Sequence, residues 1–470
     1  YLNDQEPFED DEEEELLGDL IEDNRGRVHL EHFHSVNDRA YVLAELNWLS
    51  DPDVLEDFFD NEFRNIAQPE NRLSLTHRGD WYTATLLVNK KLNDFYDNID
   101  RLPSASFDIN RQRIGDSPFY YEGVHDASFL RADFADELPV GEEERDDYDS
   151  FRFDSDNLFL YPTRHFGFPN VIPRAGYRAT YYSSTRETIT TSEEVETIDE
   201  ETGLSMFETV ETSVDEDDGA DLRNLFELGF ETSFKAFKRI HDDPLWGHYE
   251  GLRHISEPFA NYTYVDEPNR LPSELYQFDE VDRLDKRNDV RFGVRNKWQT
   301  RKNKKYVHDL VDSELFVTYF LDPDRDENDF GPLGWDVELR PVRALALDFD
   351  GLYDFEDSNL DEFNTQVGYV APDDSRANLE YRFRDADSRD LVTAELDLFP
   401  ASKWSLRTYW RYDIDESEIE EQEYLVSRKS DCLSVGVGYR FIEGGDNDDD
   451  HLVWVELYLL AFPDSLVRLG

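Results

Sequence analysis

Apolar and polar residues alternate along much of this chain, most clearly between Ala377 and Phe383. Ala377, Leu379, Tyr381 and Phe383 alternate there with polar residues. A period of two places the apolar side chains on one face of a strand and the polar ones on the other. The same pattern recurs at residues 42–48, 82–89, 335–340, 392–398, 403–412 and 432–441. It predicts an all-β chain, in which Asp53 to Asn65 is the best candidate for a short helix.

The polar connectors between these segments are of two kinds. Pro372 to Ser375 and Asp385 to Ser388 are short and typical of hairpin turns. Arg186 to Asp221 is long, rich in Glu, Asp and Thr and poor in apolar residues, which indicates an extended hydrophilic loop. Tight turns combined with long loops are typical of a transmembrane β-barrel, in which the periplasmic turns are short and the outer loops are long. The long outer loops of this chain would be acidic.

The number of segments indicates the size of the architecture. Counting them gives roughly two dozen strands, which agrees with about 18 residues per strand and loop. We therefore predict a large closed antiparallel transmembrane β-barrel, which must form a wide channel or hold a plug because side chains cannot fill it. A soluble β-sandwich or propeller is the alternative. Charged polar faces on strand after strand, and aromatic residues near strand ends, favour the barrel.

The composition and the absence of known motifs exclude several classes of function. The chain has 470 residues, of which 48 are basic and 109 acidic, so its formal net charge is −61. This charge repels nucleic acid. Aromatic residues make up 14% of the chain, more than a disordered protein would need. The sequence has no apolar run long enough for a transmembrane helix. It also has no nucleophile elbow, phosphate-binding glycine loop, CxxC or HExxH motif.

Several stretches, in this order along the chain, resemble the C-terminal outer-membrane barrel of the lipopolysaccharide-assembly family LptD. They are Arg25 to His32 with Leu49-Ser50-Asp51 and Leu55 to Phe59, Leu102-Pro103, Tyr161-Pro162 leading to Ile172 to Tyr177, Arg253 to Pro258, Asp282 to Asp285 running to Phe292 to Asn296, and Ser430-Asp431-Cys432. Together they cover the chain from about Arg25 to Phe462.

The resemblance implies a closed barrel of about 26 strands in the outer membrane of a Gram-negative-type bacterium. It implies a lipopolysaccharide translocon, without enzyme activity, cofactor or metal. The implied partners are lipopolysaccharide, an LptE-type lipoprotein plug, periplasmic lipopolysaccharide-bridge proteins and the outer-membrane barrel assembly machinery. The bridge proteins would dock through an N-terminal jellyroll domain missing from this chain. We expect residues 25–470 to form the barrel and residues 1–24 to be an acidic linker or remnant of the periplasmic domain.

In this family the lipid leaves sideways, through a lateral gate between the first and last strands. The matching strands are expected at Val28 to Ser35 and Leu452 to Phe462. The predicted gate residues are Val28, Leu30, His32, His34, Leu452, Trp454, Glu456, Tyr458, Leu460 and Phe462. Opening a seam in a medium without water breaks costly backbone hydrogen bonds, so the gate strands should pair weakly. The prolines thought to weaken the seam in the family are absent from residues 28–49.

Cysteine and histidine residues each have two interpretations. Cys432 is the only cysteine, and the resemblance implies an interdomain disulfide to the missing N-terminal domain, whereas a free thiol is an equal alternative. His29, His32 and His34 lie close together, and His32 and His34 would share one strand face. Two histidines on one face suit a metal ion. We favour an ordinary polar face.

The acidic segments also leave alternatives open. The carboxylates of Arg186 to Asp221 could share Mg²⁺ or Ca²⁺ with lipid phosphates, or could reflect adaptation to high salt. The run Glu9 to Glu15 indicates a solvated linker. Two other functions remain as alternatives. One is a general porin or uptake channel, which would be a smaller barrel, and the other is an acidic soluble β-rich binding protein of a halophile.

Overall fold

Strands make up most of the part of the chain that the structure, a computed structural model, describes. The described residues are 2–3, 21, 24–63, 66, 68–136, 138, 145–198, 205–244, 249–302, 306–322, 329–387, 389–443 and 450–469. None of the helices in these ranges is long and apolar enough to cross a membrane.

The elements follow one another in a nearly pure β order. A first pair of short strands is β1 (Leu2–Asn3) and β2 (Asn24–Arg25). The next strands are β3 (Arg27–Asn37), β4 (Ala40–Leu49), β5 (Arg72–Arg78), β6 (Tyr82–Asn89), β7 (Asn98–Arg113), β8 (Tyr120–Asp133), β9 (Tyr148–Leu160), β10 (Thr163–Arg164), β11 (Asn170–Ile198), β12 (Ser205–Ser233), β13 (Ala236–Pro244) and β14 (Tyr249–Val265). The last twelve are β15 (Arg287–Lys302), β16 (Tyr306–Phe320), β17 (Leu333–Val342), β18 (Leu345–Asp354), β19 (Asn359–Val370), β20 (Arg376–Arg384), β21 (Arg389–Leu398), β22 (Trp404–Asp413), β23 (Glu418–Lys429), β24 (Leu433–Ile442), β25 (Asp450–Leu459) and β26 (Phe462–Leu469).

Helical structure in the described residues is short. Helix α1 (Val54–Phe63) lies inside the segment predicted to be helical, so that prediction is confirmed. Two 3₁₀ turns occur at Pro272–Glu274 and Asp385–Asp387. All three lie in connections between strands, which is where an all-β chain places its helices.

One compact unit consists of residues 1–162, 172–229 and 263–287. Within it, every strand from β3 to β8 pairs antiparallel with the next strand in the chain, and β9 pairs with β11. The connections alternate between short and long, at residues 38–39, 50–71, 79–81, 90–97, 114–119 and 134–147. The predicted combination of tight turns and longer connections is therefore confirmed in this unit. The side of a membrane that each set faces stays a prediction.

The second compact unit consists of residues 163–171, 230–262 and 288–470. Strand β13 pairs with β14, and each strand from β15 to β26 pairs antiparallel with its neighbour in the chain. The turns predicted at residues 372–375 and 385–388 lie between β19 and β20 and between β20 and β21, as expected. This unit is a meander of hairpins.

The prediction of a long hydrophilic loop at Arg186 to Asp221 is wrong. Strand β11 continues to Ile198, and β12 begins at Ser205, so most of this segment is strand. The segment lacks an apolar face, which is why the alternation missed it. It is nevertheless rich in β-branched Thr, Ile and Val, which favour extended backbone. Residues 199–204, and with them part of the proposed cation loop, lie outside the described residues.

The final strand also differs from the prediction. Leu452 to Phe462 was expected as one strand, but β25 ends at Leu459 and β26 begins at Phe462. Leu459 and Phe462 are Cα partners across the turn. The turn carries none of the Gly, Asn or Asp residues that mark most tight hairpins. The apolar run therefore gave no local signal that the chain reverses there.

The predicted fold class is confirmed as all-β and antiparallel. Besides the first pair, the described residues form the 24 strands β3 to β26, against about 26 expected. Closure into a ring stays a prediction.

Candidate functional site

The strands of the first unit separate an apolar face from a polar face. Leu73 and Leu75 of β5 and Leu86 of β6 lie on the apolar face, and each is about half exposed. Phe129 of β8 and Phe153 of β9 continue this face and are similarly exposed. Monomeric soluble proteins seldom expose large apolar side chains on successive strands. The face is suited to contact with lipid.

The polar face of this unit is centred on Arg152 of β9, whose side chain is 2% exposed. Its Nη1 donates to Asp279 Oδ1 at 2.7 Å and to Asp282 Oδ1 at 2.8 Å. Its Nη2 donates to Asp279 Oδ2 at 2.7 Å. These hydrogen bonds pair the buried guanidinium with the two carboxylates, so they offset the free-energy cost of removing the charged groups from water. Arg152 therefore fixes the connection between β14 and β15 to the strand wall.

Further strands hold the same connection, residues 266–286, which we call the clamped segment. Tyr182 of β11 donates its hydroxyl to Asp282 Oδ1 at 2.9 Å. Arg101 of β7 donates to Asp279 Oδ2 at 2.9 Å. Arg223 of β12 donates to the backbone carbonyls of Val281 and Asp282, at 3.1 and 3.3 Å, and to that of Leu284. The segment is thus bonded to β7, β9, β11 and β12.

Aromatic packing adds an apolar anchor to the clamped segment. Phe278 is buried against Leu130 and Ala132 of β8. Tyr148 of β9 stacks on Tyr276 with the ring centroids 4.8 Å apart, and its hydroxyl donates to the backbone carbonyl of Gln277 at 2.9 Å. Burial of these rings supplies stabilisation that does not depend on charge.

The charge state of Asp279 follows from its neighbours. Burial alone would raise the pKa of Asp279, but the hydrogen bonds and positive charge of Arg152 oppose this. The backbone N–H of Val281 and the side chain of Arg101 also donate to this carboxylate. The pKa of Asp279 is consequently lowered from 3.8 to about 2. Asp279 is ionised throughout the physiological range.

Acidification is expected to loosen the clamped segment. The pKa of Asp279 is lower in the folded protein than the unfolded value of 3.8. Its contribution, about 2 kcal/mol by linkage, is therefore fully present above pH 4 and disappears as the pH falls through about 2. We expect amide hydrogens of residues 266–286 to exchange faster between pH 4 and pH 2, after correction for intrinsic exchange. Asp279→Asn should flatten this pH dependence, and an unchanged profile in that variant would contradict the assignment.

A second anchored connection, residues 50–71, lies in the same unit. Arg25 and Asp51 form a salt bridge at 2.6 Å, with side-chain exposures of 0% and 1%. Asp51 Oδ1 also accepts the backbone N–H of Val54 at 3.0 Å, which caps α1. Leu49, Val54 and Leu55 form a buried cluster beneath the helix. Two stretches that resemble the family, around Arg25 and around residues 49–51, therefore meet in one buried pair.

The predicted gate residues of β25 lie on the polar face of the second unit. Register with β24 places Leu452, Trp454, Glu456 and Tyr458 on one face, opposite Arg440, Gly438, Gly436 and Ser434 in turn. Trp454 is 1% exposed. A Cβ at Gly438 would lie 2.2 Å from its indole ring, so only glycine lets the ring lie on the strand. Leu460 is in the turn after β25, and the side chain of Phe462 lies outside the described residues.

The gate residues predicted on β3 face the other way. Val28, Leu30, His32 and His34 are Cα partners of Trp48, Leu46, Ala44 and Val42, on the apolar face of β4. Every residue of β3 from Val28 to Asn37 is exposed. The structure thus puts the β3 set on an apolar face and the β25 set on a polar face, each within its own unit.

The histidines divide between the two faces of β3. His32 and His34 share one strand face, as predicted, with their rings stacked at 6.2 Å, but this is the apolar face, so the favoured interpretation as a polar face is wrong. His29 lies on the polar face, where its Nδ1 is 2.6 Å from Asn47 Oδ1. Among the described residues no group of three or more His, Cys, Asp and Glu side chains is placed to hold a metal ion.

Cys432 lies in the turn between β23 and β24 and is exposed. Its backbone carbonyl accepts the N–H of Leu460 at 2.9 Å, which ties this turn to the turn after β25. An exposed thiol is accessible to a partner cysteine. The interdomain disulfide stays a prediction.

Sequence reasoning missed Arg152, although one signal was present. Phe151-Arg152-Phe153 places a cation between two large apolar residues of a strand. Its partner Asp282 belongs to a stretch that resembles the family, but the sequence gave it no partner. A cation at a polar-face position is usually solvated, so the pattern alone could not show that this one is buried.

The chemistry of the site is that of a scaffold for transport. Ion pairs on the polar face hold connections in place, and the opposite face presents apolar side chains. Strands with one apolar and one charged face define the class of outer-membrane β-barrel proteins.

Within that class the family is shown by sequence. Residues 23–393 match the family model described as LptD: LPS transport system D. The chain belongs to this family, and it is an outer-membrane protein of Gram-negative bacteria that functions in lipopolysaccharide transport. A search of curated protein sequences found no match.

Solved structures give weaker comparisons. The siderophore receptor PirA from Acinetobacter baumannii is 7% identical, with a TM-score of 0.36, over 93% of this chain and 73% of that chain. A mutant of the ferric enterobactin receptor PfeA from Pseudomonas aeruginosa is 8% identical, with a TM-score of 0.36, over 92% and 71%. The copper transporter OprC is 10% identical, with a TM-score of 0.33, over 92% and 69%. Scores at this level support no conclusion about the fold or the ligand of this chain.

Proposed function

We propose that this chain is the part of the lipopolysaccharide translocon that releases the lipid sideways into the outer leaflet. The observation that carries the proposal is the family match over residues 23–393. The faces of the strands support it, because a glycolipid needs a charged path for its head group and an apolar path for its acyl chains. The lipid is moved and not chemically changed, so the proposed function involves no enzyme activity. Neither a porin nor a soluble binding protein is favoured by this family.

The lateral gate is proposed to have β3 as one border and β25 with β26 as the other. Strand β3 supports this by itself, since all its side chains after Arg27 are exposed. The pairing of β25 with β26 is also irregular, with a register shift between Leu457 and Leu459. Borders with little packing open at lower cost, and each opened backbone group still costs free energy in lipid.

A reversible cross-link tests the gate. One cysteine replaces Leu30, and a second is moved along residues 462–469, in a chain that also carries Cys432→Ser. Oxidation is expected to stop delivery of newly made lipopolysaccharide to the outer leaflet, and a reductant should restore it. Surface labelling of the lipid in cells measures both states.

The matched control joins two strands that are already paired. Val42 of β4 and Leu75 of β5 are Cα partners on the apolar face. A disulfide between cysteines at these positions should leave delivery unchanged. Full delivery with the gate cross-linked, or failure of every gate pair to cross-link, would contradict the proposed gate.

The partners are proposed from the family. They are lipopolysaccharide, an LptE-type lipoprotein plug, the periplasmic bridge reached through a jellyroll domain, and the barrel assembly machinery. Cys432 is proposed to pair with a cysteine of that jellyroll domain, and its exposure supports this. The two interpretations of the acidic segment at Arg186 to Asp221, which are cation sharing with lipid phosphates and adaptation to high salt, both stay predictions, and the side chains of residues 188–216 lie outside the described residues.

A further inference from the structure

Three arginines line one cavity in the second unit. Arg239 of β13, Arg253 of β14 and Arg301 of β15 surround a space of about 240 Å³. Glu250 is the one carboxylate among the described residues that line it. The chain as a whole has 109 acidic residues and 48 basic ones. Basic side chains therefore outnumber acidic ones among the described residues around this cavity, whereas acidic residues outnumber basic ones in the chain as a whole.

Several other polar-face cations of this unit have carboxylate partners. Arg295 donates to Glu314 at 2.7 Å, and Arg340 to Asp348 at 2.7 Å. Within the described part of the chain neither Arg239 nor Arg301 has an ion-pair or hydrogen-bond partner. Arg376 and Arg407 of the same unit also lack such a partner among the described residues, but Arg239 and Arg301 line one cavity, so a single anionic ligand can contact both.

The third arginine is held by a neutral group. Arg253 Nε donates to Gln299 Oε1 at 3.1 Å, and its Nη2 donates to the same oxygen. Gln299 is itself oriented by its Nε2, which donates to Asp309 Oδ1 at 2.7 Å. An amide oxygen fixes the guanidinium without cancelling its charge. Arg253 is thereby positioned with a positive charge facing the cavity.

The strand register adds an electrostatic cost. Arg239 and Arg253 are Cα partners across the β13–β14 ladder. Like charges directly opposite each other destabilise a ladder. An anion between them would remove this repulsion, and guanidinium groups match the geometry of phosphate oxygens.

We propose that this cavity binds a phosphate monoester through Arg239, Arg253 and Arg301. Such a group carries up to two negative charges and several acceptor oxygens, which three guanidinium groups can share. A cavity of about 240 Å³ holds the phosphate with part of an attached sugar. Its source is either the phosphorylated head group of a lipid or free phosphate. The assignment to a lipid head group rests on the proposed function, whereas the phosphate site does not.

Calorimetric titration of the folded full chain in detergent with inorganic phosphate tests the site. We expect the double variant Arg253→Gln and Arg301→Gln to weaken binding at least about tenfold, because two charge-assisted contacts are lost. The matched control is Arg340→Gln, which removes an equal charge from an ion pair on the same face and should change binding less than about twofold. Circular dichroism checks that each variant is folded.

Two results would overturn the site. They are no phosphate binding by the parent chain, and equal weakening by the control, which would indicate only the general field of the protein. If the double variant does not fold, Arg239→Gln replaces it, because that side chain is exposed. Arg239→Gln should weaken binding by severalfold, and unchanged binding would also overturn the site.

A second titration distinguishes the two sources of phosphate. Micelles of a phosphorylated glucosamine lipid are compared with the same lipid after phosphatase treatment. Tighter binding of the phosphorylated form, lost in the double variant, supports a lipid head group. Binding of free phosphate without this difference supports the site and assigns it to free phosphate. Both titrations use purified protein, whereas the proposed function is tested by lipid delivery in cells. The phosphate site can therefore be disproved while the proposed function holds, and the proposed function can be disproved while the phosphate site holds.

Discussion

Replacing Arg152 by methionine is expected to lower the free energy of unfolding by about 3–5 kcal/mol, because it removes the cation that pairs with the buried Asp282 and one of the two arginines that pair with Asp279. Asp282 is fully buried and Asp279 is 24% exposed. Asp282 cannot regain water while the clamped segment keeps its place, so the segment should leave the strand wall. Denaturant unfolding in detergent measures the loss of stability. Protease cleavage within residues 266–286 should rise before global unfolding.

The comparison for this variant is Arg340→Met. Arg340 and Asp348 form an ion pair of similar length, 2.7 Å, but their side chains are 35% and 34% exposed. Exposed pairs contribute little, so this variant should lose less than about 1 kcal/mol. A double-mutant cycle with Asp279→Asn isolates the coupling between Arg152 and that carboxylate. Equal losses for Arg152→Met and Arg340→Met would show that the clamped segment is held by its aromatic packing instead.

Replacing Arg25 by methionine is expected to have an effect of the same size, about 3–5 kcal/mol, in a different part of the unit. Its partner Asp51 is 1% exposed and also caps α1 through the N–H of Val54. An unpaired Asp51 would draw water or move, and α1 would lose its cap. Hydrogen exchange of the amides of residues 54–63 should therefore accelerate more than that of the neighbouring strands. Denaturant unfolding gives the total loss.

Arg27 provides the matched control two residues further along the chain. It donates to Glu62, whose side chain is 58% exposed, and its guanidinium lies over the ring of Phe59 at 4.6 Å. Arg27→Met keeps part of this packing and breaks a pair whose carboxylate, unlike that of Asp51, is exposed to water. The loss should stay within about 1 kcal/mol. If Arg25→Met were no worse than Arg27→Met, the buried pair would not be what holds residues 50–71.

The sequence predicted the strands better than it predicted which residues contact one another. Alternation located the strands around residues 377–383 and 433–441 because each strand must put one face in each environment. It failed at β11 and β12, where polar residues occupy both faces, and at the turn after Leu459, where an apolar run hides the reversal. Both failures have one cause, since alternation reports burial and not backbone pairing.

In the candidate site, too, the sequence indicated individual residues but not the residues that they contact. The resemblance to the family drew attention to Asp51 and Asp282, which are both buried acceptors of arginine side chains. It gave no sign that Arg152 binds Asp282, because these residues are 130 positions apart. The arginines of the phosphate cavity likewise lie on three strands, and no motif joins them. Pairs of this kind form only when the register of several strands is set.

By itself, the sequence determined that the chain is a two-faced acidic β protein, because a period of two and a large acidic excess are local properties of the chain. Its resemblance to the LptD family came from the order of short sequence stretches and is shown by the family match. The tertiary structure decided which of its many carboxylates are buried against arginines, which connection is clamped to the strand wall and where arginines gather without acidic partners. These features depend on strand register, which brings distant residues to one face and gives each charge its neighbours.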